Sequence, residues 1–194
     1  MSTTIPIKDK DVLEEFKNYY LKKENYRNYL LIVIGLNTAL RISDILPLKW
    51  SDVYNFSDGR FKSHLELNEQ KTGKHSVIAL NSAAVSALRC LMEHLPSSKC
   101  CRETYIFASQ KTENKPIGRV QAYRIIKKAA SQTGLEEHIS CHSLRKTFGY
   151  FAYKSGTDSV MLMEIYNHSS FRVTQRYLGI RQDERDAVFM KVNL

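Results

Sequence analysis

Arg41 with Asp44, Lys71 or Lys74, His142 with Arg145, and His168 with Tyr177 are the side chains whose types and spacing could do chemistry. Arg41 falls where one apolar helical run ends and another begins. Asp44, three residues on, could orient its guanidinium, although alone the two read as an ordinary surface pair. Lys71 and Lys74 flank Gly73 between two short β runs. The segment is no phosphate loop, because GxxxxGK[ST] is absent and no helix follows. His142 and Arg145 stand three apart, which on a helix puts both on one face. Such a pair is electrostatically unfavourable unless an anion lies between its members. On one continuous helix His168 and Tyr177 would point to opposite sides. Ser169 and Ser170 are good N-caps, and a helix restarting there lets the two rings converge. No one of these groups is decisive alone, and it is the His142–Arg145 pair that calls for an anion.

The elements that must hold these groups read as mostly helical. Residues 9–22 carry Val12, Leu13, Phe16 and Tyr20 at helical spacing. Residues 26–38 are apolar nearly all round, the mark of a central buried helix. A shorter helix bears Ile42, Ile45, Leu46 and Leu48 and is interrupted at Pro47. Residues 64–80 change to a period of two and predict a β-hairpin with lysines at its tip. A helix capped by Asn81 or Ser82 follows, then a polar loop over 96–117 holding a short strand-like Tyr105-Ile106-Phe107. Residues 118–131 predict an amphipathic helix, with Val120, Tyr123 and Ile126 pointing one way and Gln121, Arg124 and Lys128 another. Helices over 142–155, 158–166, 170–178 and 183–192 complete the chain. The expected fold is mainly α with a small antiparallel β-sheet, an α+β class, in a single domain over residues 1–194.

Composition narrows the partners. The net charge is +9 and the pI about 9.4, a positive field that suits a polyanion. With 43% apolar and 25% charged residues the chain is not of a disordered, collagen-like or disulfide-dense class. The longest apolar run, residues 30–36, is too short to cross a bilayer, and the first ten residues hold no apolar core of a secretory signal. Cys90, Cys100, Cys101 and Cys141 form no CxxC pair and no metal-like grouping. They read as reduced thiols of a cytoplasmic protein, with no metal and no cofactor called for.

Taken together, Arg41, Lys71, His142, Arg145, His168 and Tyr177, in that order, resemble the catalytic set of the tyrosine recombinase (phage integrase) family. The family's first box, TGLR-[IV]-S-E-L-x-x-L-x-W-x-D-[IV], is matched by TALRISDILPLKWSDV. Its hairpin pattern GKGNKxRxVPL is matched by QKTGKHSVIAL, which puts Lys71 rather than Lys74 at the catalytic position. HxLRHTFA is matched by HSLRKTFG, and LGHSSxxxTxxYxH by YNHSSFRVTQRYLG. The resemblance spans roughly residues 10–185. Ala39 replaces the family's glycine, Lys146 its histidine, and Tyr166-Asn167 its Leu-Gly, a change that can shift His168 slightly. The separate N-terminal core-binding domain of most members has no counterpart. The chain is therefore similar in size to the fimbrial phase-switch invertases, or to an excised catalytic domain.

The resemblance implies the integrase catalytic-domain fold and a site-specific recombinase. Tyr177 would attack a DNA phosphodiester, giving a 3′-phosphotyrosine and a free 5′-hydroxyl, and integration, excision or inversion would follow without metal or ATP. Arg41, Arg145 and His168 would grip the non-bridging oxygens. Neighbouring cations would lower the Tyr177 pKa, His142 would take its proton, and Lys71 would protonate the leaving oxygen. Gln121 and Arg124 would read bases, while Arg119, Lys127 and Lys128 would contact phosphates. Expected partners are double-stranded DNA, three further copies in a homotetramer on paired sites (with a monomer in solution), accessory DNA-bending proteins, and no membrane. The apolar tail over 183–194 would dock on a neighbouring protomer. The rivals are a DNA-binding regulator with the same fold, and a type IB topoisomerase-like strand transferase.

Overall fold

The computed structural model describes residues 4–135, 138–180, 186 and 189–192. Asp9 caps the first helix, α1 (Lys10–Asn18), by accepting from the backbone N–H groups of Asp11 and Val12. The apolar run forms α2 (Tyr26–Asn37), whose residues from Leu30 to Gly35 are all buried. Gly35 is required there, because a Cβ would lie 2.5 Å from Leu144 Cδ1 of a later helix. The short helices α3 (Ile42–Ile45) and α4 (Trp50–Val53) follow on either side of Pro47.

Two antiparallel hairpins come next. The first pairs β1 (Tyr54–Asn55) with β2 (Arg60–Phe61) around Gly59 at φ +70°. The sequence reading has no strands here, yet Asp58-Gly59 is a hairpin signal and could have revealed it. The second pairs β3 (His64–Asn68) with β4 (His75–Ala79) in a register that sets Leu65 opposite Ile78 and Asn68 opposite His75. That register turns Leu65 into the core and leaves Val77 57% exposed. The strand-like Tyr105-Ile106-Phe107 is not a full strand. It makes an isolated bridge from Tyr105 to Lys49, and Ile106 N–H donates to the Leu48 carbonyl.

The helices α5 (Ser82–Glu93, capped by Asn81), α6 (Arg119–Gln132), α7 (Cys141–Lys154), α8 (Ser159–Tyr166) and α9 (Phe171–Leu178) then follow. For α6 the expected faces are corrected. Ala122, Ile125, Ile126, Ala129 and Ala130 are buried, whereas Val120 and Tyr123 are 64% and 47% exposed. The small alanines let α6 lie close to its neighbours, and that outweighs the larger apolar surface of Val120 and Tyr123. The expected helix over 183–192 falls largely outside the described residues. Asp186 and residues 189–191 are helical, and Phe189, Met190 and Val192 are strongly exposed.

A large core gathers around α2, α5 and α6, and a smaller one holds Ala39, Leu162, Tyr166 and Leu178. The smaller core joins the end of α2 to α8 and α9, and the residues with chemistry lie along that seam. Among the described residues no helix is long and apolar enough to cross a membrane.

Candidate active site

Arg145 is the centre. It sits on the second turn of α7, whose start is fixed by a capping box between Ser140 and Ser143. Although charged, it is buried, at 4% exposure. One arm of its guanidinium donates to the Ala39 carbonyl and another reaches the Tyr166 carbonyl at 3.5 Å, while its Cζ lies 4.6 Å from the centroid of the Tyr166 ring. These partners offset its desolvation. Ala39 aims its carbonyl into the site because its backbone is left-handed, with φ 53°. That costs an alanine about 1–2 kcal/mol. Burial of its methyl in the small core recovers about 0.8 kcal/mol, and glycine's extra chain entropy is avoided.

Tyr177 comes to the same place. Helix α8 ends at Tyr166, Asn167 turns left-handed at φ 53°, and α9 restarts behind Ser170, which caps it. The break brings the His168 and Tyr177 rings to 5.2 Å. The charge of Arg145 acts on the Tyr177 hydroxyl, and Lys146 Nζ lies 5.0 Å from the Tyr177 ring centroid. His168 is oriented by a 3.1 Å contact between Nδ1 and Thr174 Oγ1. The expected lowering of the Tyr177 pKa is overturned. Burial raises it, and the opposing pull of Arg145 and Arg41 does not compensate. The phenol is therefore protonated at neutral pH and needs a base.

His142 is exposed one turn before Arg145. Its pKa is lowered by desolvation and by the charges of Arg145, Lys146, Arg41 and Lys71. His168 is lowered by burial, then by Arg145 and Arg41. Both imidazoles are thus poised neutral. Lys71 is exposed on the hairpin turn, close enough for its charge to act on His142. Lys74 instead donates to the Glu164 carbonyl of α8 at 3.3 Å.

Arg41 N-caps α3 and is gripped by Glu69, a residue the sequence reading did not single out. Asp44 does not hold Arg41 as expected. It is buried, and its Oδ1 accepts from the Gln70 backbone N–H at 2.9 Å, because the hairpin loop closes over it. An open cleft of about 490 Å³ between β4 and α8 reaches Glu69 and Arg145. The proposed DNA readers lie elsewhere. Arg119, Gln121, Arg124 and Lys128 are exposed and Lys127 is half-buried, all on the outward part of α6.

A buried arginine beside a protonated phenol and a neutral histidine, with a second arginine, a second neutral histidine and an exposed lysine whose charges reach them, suits transfer of a phosphoryl group to the phenol. The phage integrase family model matches residues 8–184. The chain belongs to the phage integrase family. It is 44% identical over 184 residues to "Probable integrase/recombinase YoeC" of Bacillus subtilis (strain 168), covering 95% of this chain and 94% of that protein. It spans only about half of two other curated tyrosine recombinases, at 51% and 49% of their lengths. Among solved structures, XerA recombinase superposes with a TM-score of 0.77 at 20% identity, covering 96% of this chain and 65% of that one. The XerH site-specific recombinase, solved on its palindromic difH substrate in a post-cleavage complex, superposes at 0.73 and 21% identity, covering 96% and 51%. Those likenesses place the fold in the integrase catalytic class.

Against the family's pattern, Tyr166 stands for leucine, and the site has adapted to it. Its hydroxyl donates to the Arg145 carbonyl at 2.6 Å. Its ring centroid lies 5.5 Å from that of His168 and 5.3 Å from that of Tyr177. Room for it comes from Gly149, where the family pattern has alanine. A Cβ there would lie 2.3 Å from Tyr166 Oη and 2.5 Å from Leu178 Cδ2. Asn167 replaces the family's glycine as one of the few side chains that tolerate a left-handed backbone. Gly149→Ala is expected to destabilise the fold by about 2–3 kcal/mol, while adding Tyr166→Leu recovers part of it, the crowding against Leu178 remaining. Paired melting curves check this, and a double variant no better than the single one would refute the pairing.

Proposed function

We infer that this chain is a site-specific DNA recombinase that breaks and rejoins strands through Tyr177. The observation that carries the reading is the convergence of the half-buried Tyr177 and His168 rings on the buried Arg145, with Tyr166 between them. Tyr177 Oη attacks the phosphorus and the P–O5′ bond breaks, leaving a 3′-phosphotyrosine. His142 accepts the phenol proton and Lys71 supplies one to the departing 5′ oxygen. A second 5′-hydroxyl reverses these steps on a new strand, so the ester conserves the bond energy and no nucleotide triphosphate is consumed. Arg145, Arg41 and His168 stabilise the charge on the non-bridging oxygens. Among the described residues no cluster of His, Cys, Asp or Glu could hold a metal ion. The test is adduct formation on a nicked duplex carrying the native site, in EDTA: a covalent protein–DNA species supports the reading, and strand breaks without one oppose it.

DNA is the expected partner, met by the net charge of +9. We place Gln121 and Arg124 on base edges and Arg119, Lys127 and Lys128 on phosphates. Arg124→Ala is expected to relax preference at one base pair by about 1–3 kcal/mol. Competition binding over a randomised site checks this, and equal weakening on every sequence would make Arg124 a phosphate contact. A tetramer on paired sites, assembled from monomers, fits the exposed apolar residues Phe189, Met190 and Val192 near the carboxyl end.

Acid sensitivity follows from His142. Its proton affinity is lowered, so it stays a free base to a lower pH than an ordinary imidazole. Cleavage at limiting protein, which reports the free enzyme, is expected to hold from pH 8 downward and to fall only below about 6.5. Stability moves the same way. The unfolded chain binds protons the folded one resists, so stability is lost as pH drops below the ordinary histidine value. A rate already halved at pH 7, or His142→Gln retaining the acid limb, would remove His142 as the base.

A further inference from the structure

Glu69 is a buried carboxylate, 6% exposed, in the turn that carries Lys71. Its Oε2 accepts from Arg41 Nη1 and from Thr72 Oγ1 at 3.1 Å, and its Oε1 accepts from Ser76 Oγ at 3.2 Å. Its own backbone closes the turn. The N–H donates to the Lys74 carbonyl at 2.9 Å, and the carbonyl accepts from Gly73 N–H at 2.8 Å. Asp44 crosses in the other direction to the Gln70 N–H. Two carboxylates thus tie the hairpin to the segment bearing Arg41, one from each side. Burial disfavours the charge on Glu69, yet Arg41 and the two hydroxyls more than compensate, and its pKa stays below the ordinary carboxylate value.

A carboxylate against a phosphate-binding arginine has two opposite physical consequences. It can compete with the phosphate for the guanidinium, or it can fix the guanidinium's orientation. Geometry favours the second. Both Glu69 oxygens are held by hairpin hydroxyls and its backbone is locked in the turn, so it cannot swing away. Among the described residues only Nη1 of Arg41 is engaged, which leaves the other N–H groups for an anion. An arginine on a long flexible side chain loses much rotamer freedom when it grips a phosphate, and a fixed partner meets that loss in advance.

We propose that Glu69 is a positioning residue for the cleavage step, holding the Arg41 guanidinium ready for the scissile phosphate. This rests on the recombinase reading of the site. Glu69→Gln keeps the size and one acceptor oxygen but removes the charge. It is expected to slow single-turnover cleavage of the nicked site by 10- to 30-fold at saturating protein, with DNA affinity unchanged or tighter. The decisive comparison is a double-mutant cycle with Arg41→Lys. If Glu69 acts through Arg41, adding Glu69→Gln to Arg41→Lys costs less than threefold more. Full multiplication of the two losses would mean a general structural role and would overturn the proposal. So would wild-type cleavage by Glu69→Gln, or faster cleavage, which would mark the contact as inhibitory. Should Glu69→Gln not fold by thermal melting, Ser76→Ala, which frees Oε1, serves in the same cycle with an expected two- to fivefold loss. Absence of any adduct with wild-type protein would count against the recombinase reading, whereas a wild-type adduct with no Glu69 coupling would count against this proposal alone.

Discussion

Tyr177→Phe abolishes the covalent protein–DNA species, a loss of at least about 10⁴-fold in cleavage rate, while affinity for the site stays within about twofold. The substitution removes one oxygen and keeps the ring, so the packing against His168 and Tyr166 is preserved. No neighbour can stand in. The Tyr166 hydroxyl is fully buried, donates to the Arg145 carbonyl, and has its pKa pushed far up by desolvation. A phenol so engaged is neither free to reach a phosphate nor able to release its proton. Gel separation of adduct from free DNA, beside a filter-binding isotherm, gives both numbers. Residual adduct above a few per cent in Tyr177→Phe would mean that another residue attacks.

Arg145→Lys is expected to fail twice. Lysine presents a point charge where the site needs a planar fork that can engage the Ala39 carbonyl and still face the phosphate. Cleavage should fall about 10²- to 10³-fold, the usual cost of one preorganised donor. The fold should also lose about 1–3 kcal/mol, because a buried carbonyl is left without its partner and the stacking over Tyr166 is lost. Single-turnover cleavage and thermal melting separate the two effects. A loss under tenfold in rate would mean that Arg145 is a structural arginine beside the site rather than a ligand of the phosphate.

What the sequence revealed follows from how local each signal is. His142 and Arg145 share a face because they lie three residues apart on one helix, and that is readable from spacing. The convergence of His168 and Tyr177 depended on a helix break whose capping serines are visible in the chain. Glu69 was not legible. It stands one residue beyond β3, where a glutamate ordinarily faces solvent, and its burial depends on Arg41, which arrives from 28 positions away. The partner of Asp44 is not legible either, since only the closed hairpin brings the Gln70 N–H to it. The Tyr177 proton affinity also escaped, because charge neighbours can be guessed from a motif whereas burial is set by the whole seam between α7, α8 and α9. Gly149 carried a faint signal, as a glycine inside a helix costs stability unless something needs its space. That something is Tyr166, 17 residues on, whose size a family pattern with leucine would not suggest.

The most direct test is to trap the adduct on a nicked duplex in EDTA, digest it, and map the nucleotide-bearing peptide by mass spectrometry. The expected result is a single modified residue, Tyr177, joined to a 3′-phosphate. Attachment at any other side chain, linkage through a 5′-phosphate, or cleavage that appears only when a divalent metal is restored would contradict the reaction assigned to this site.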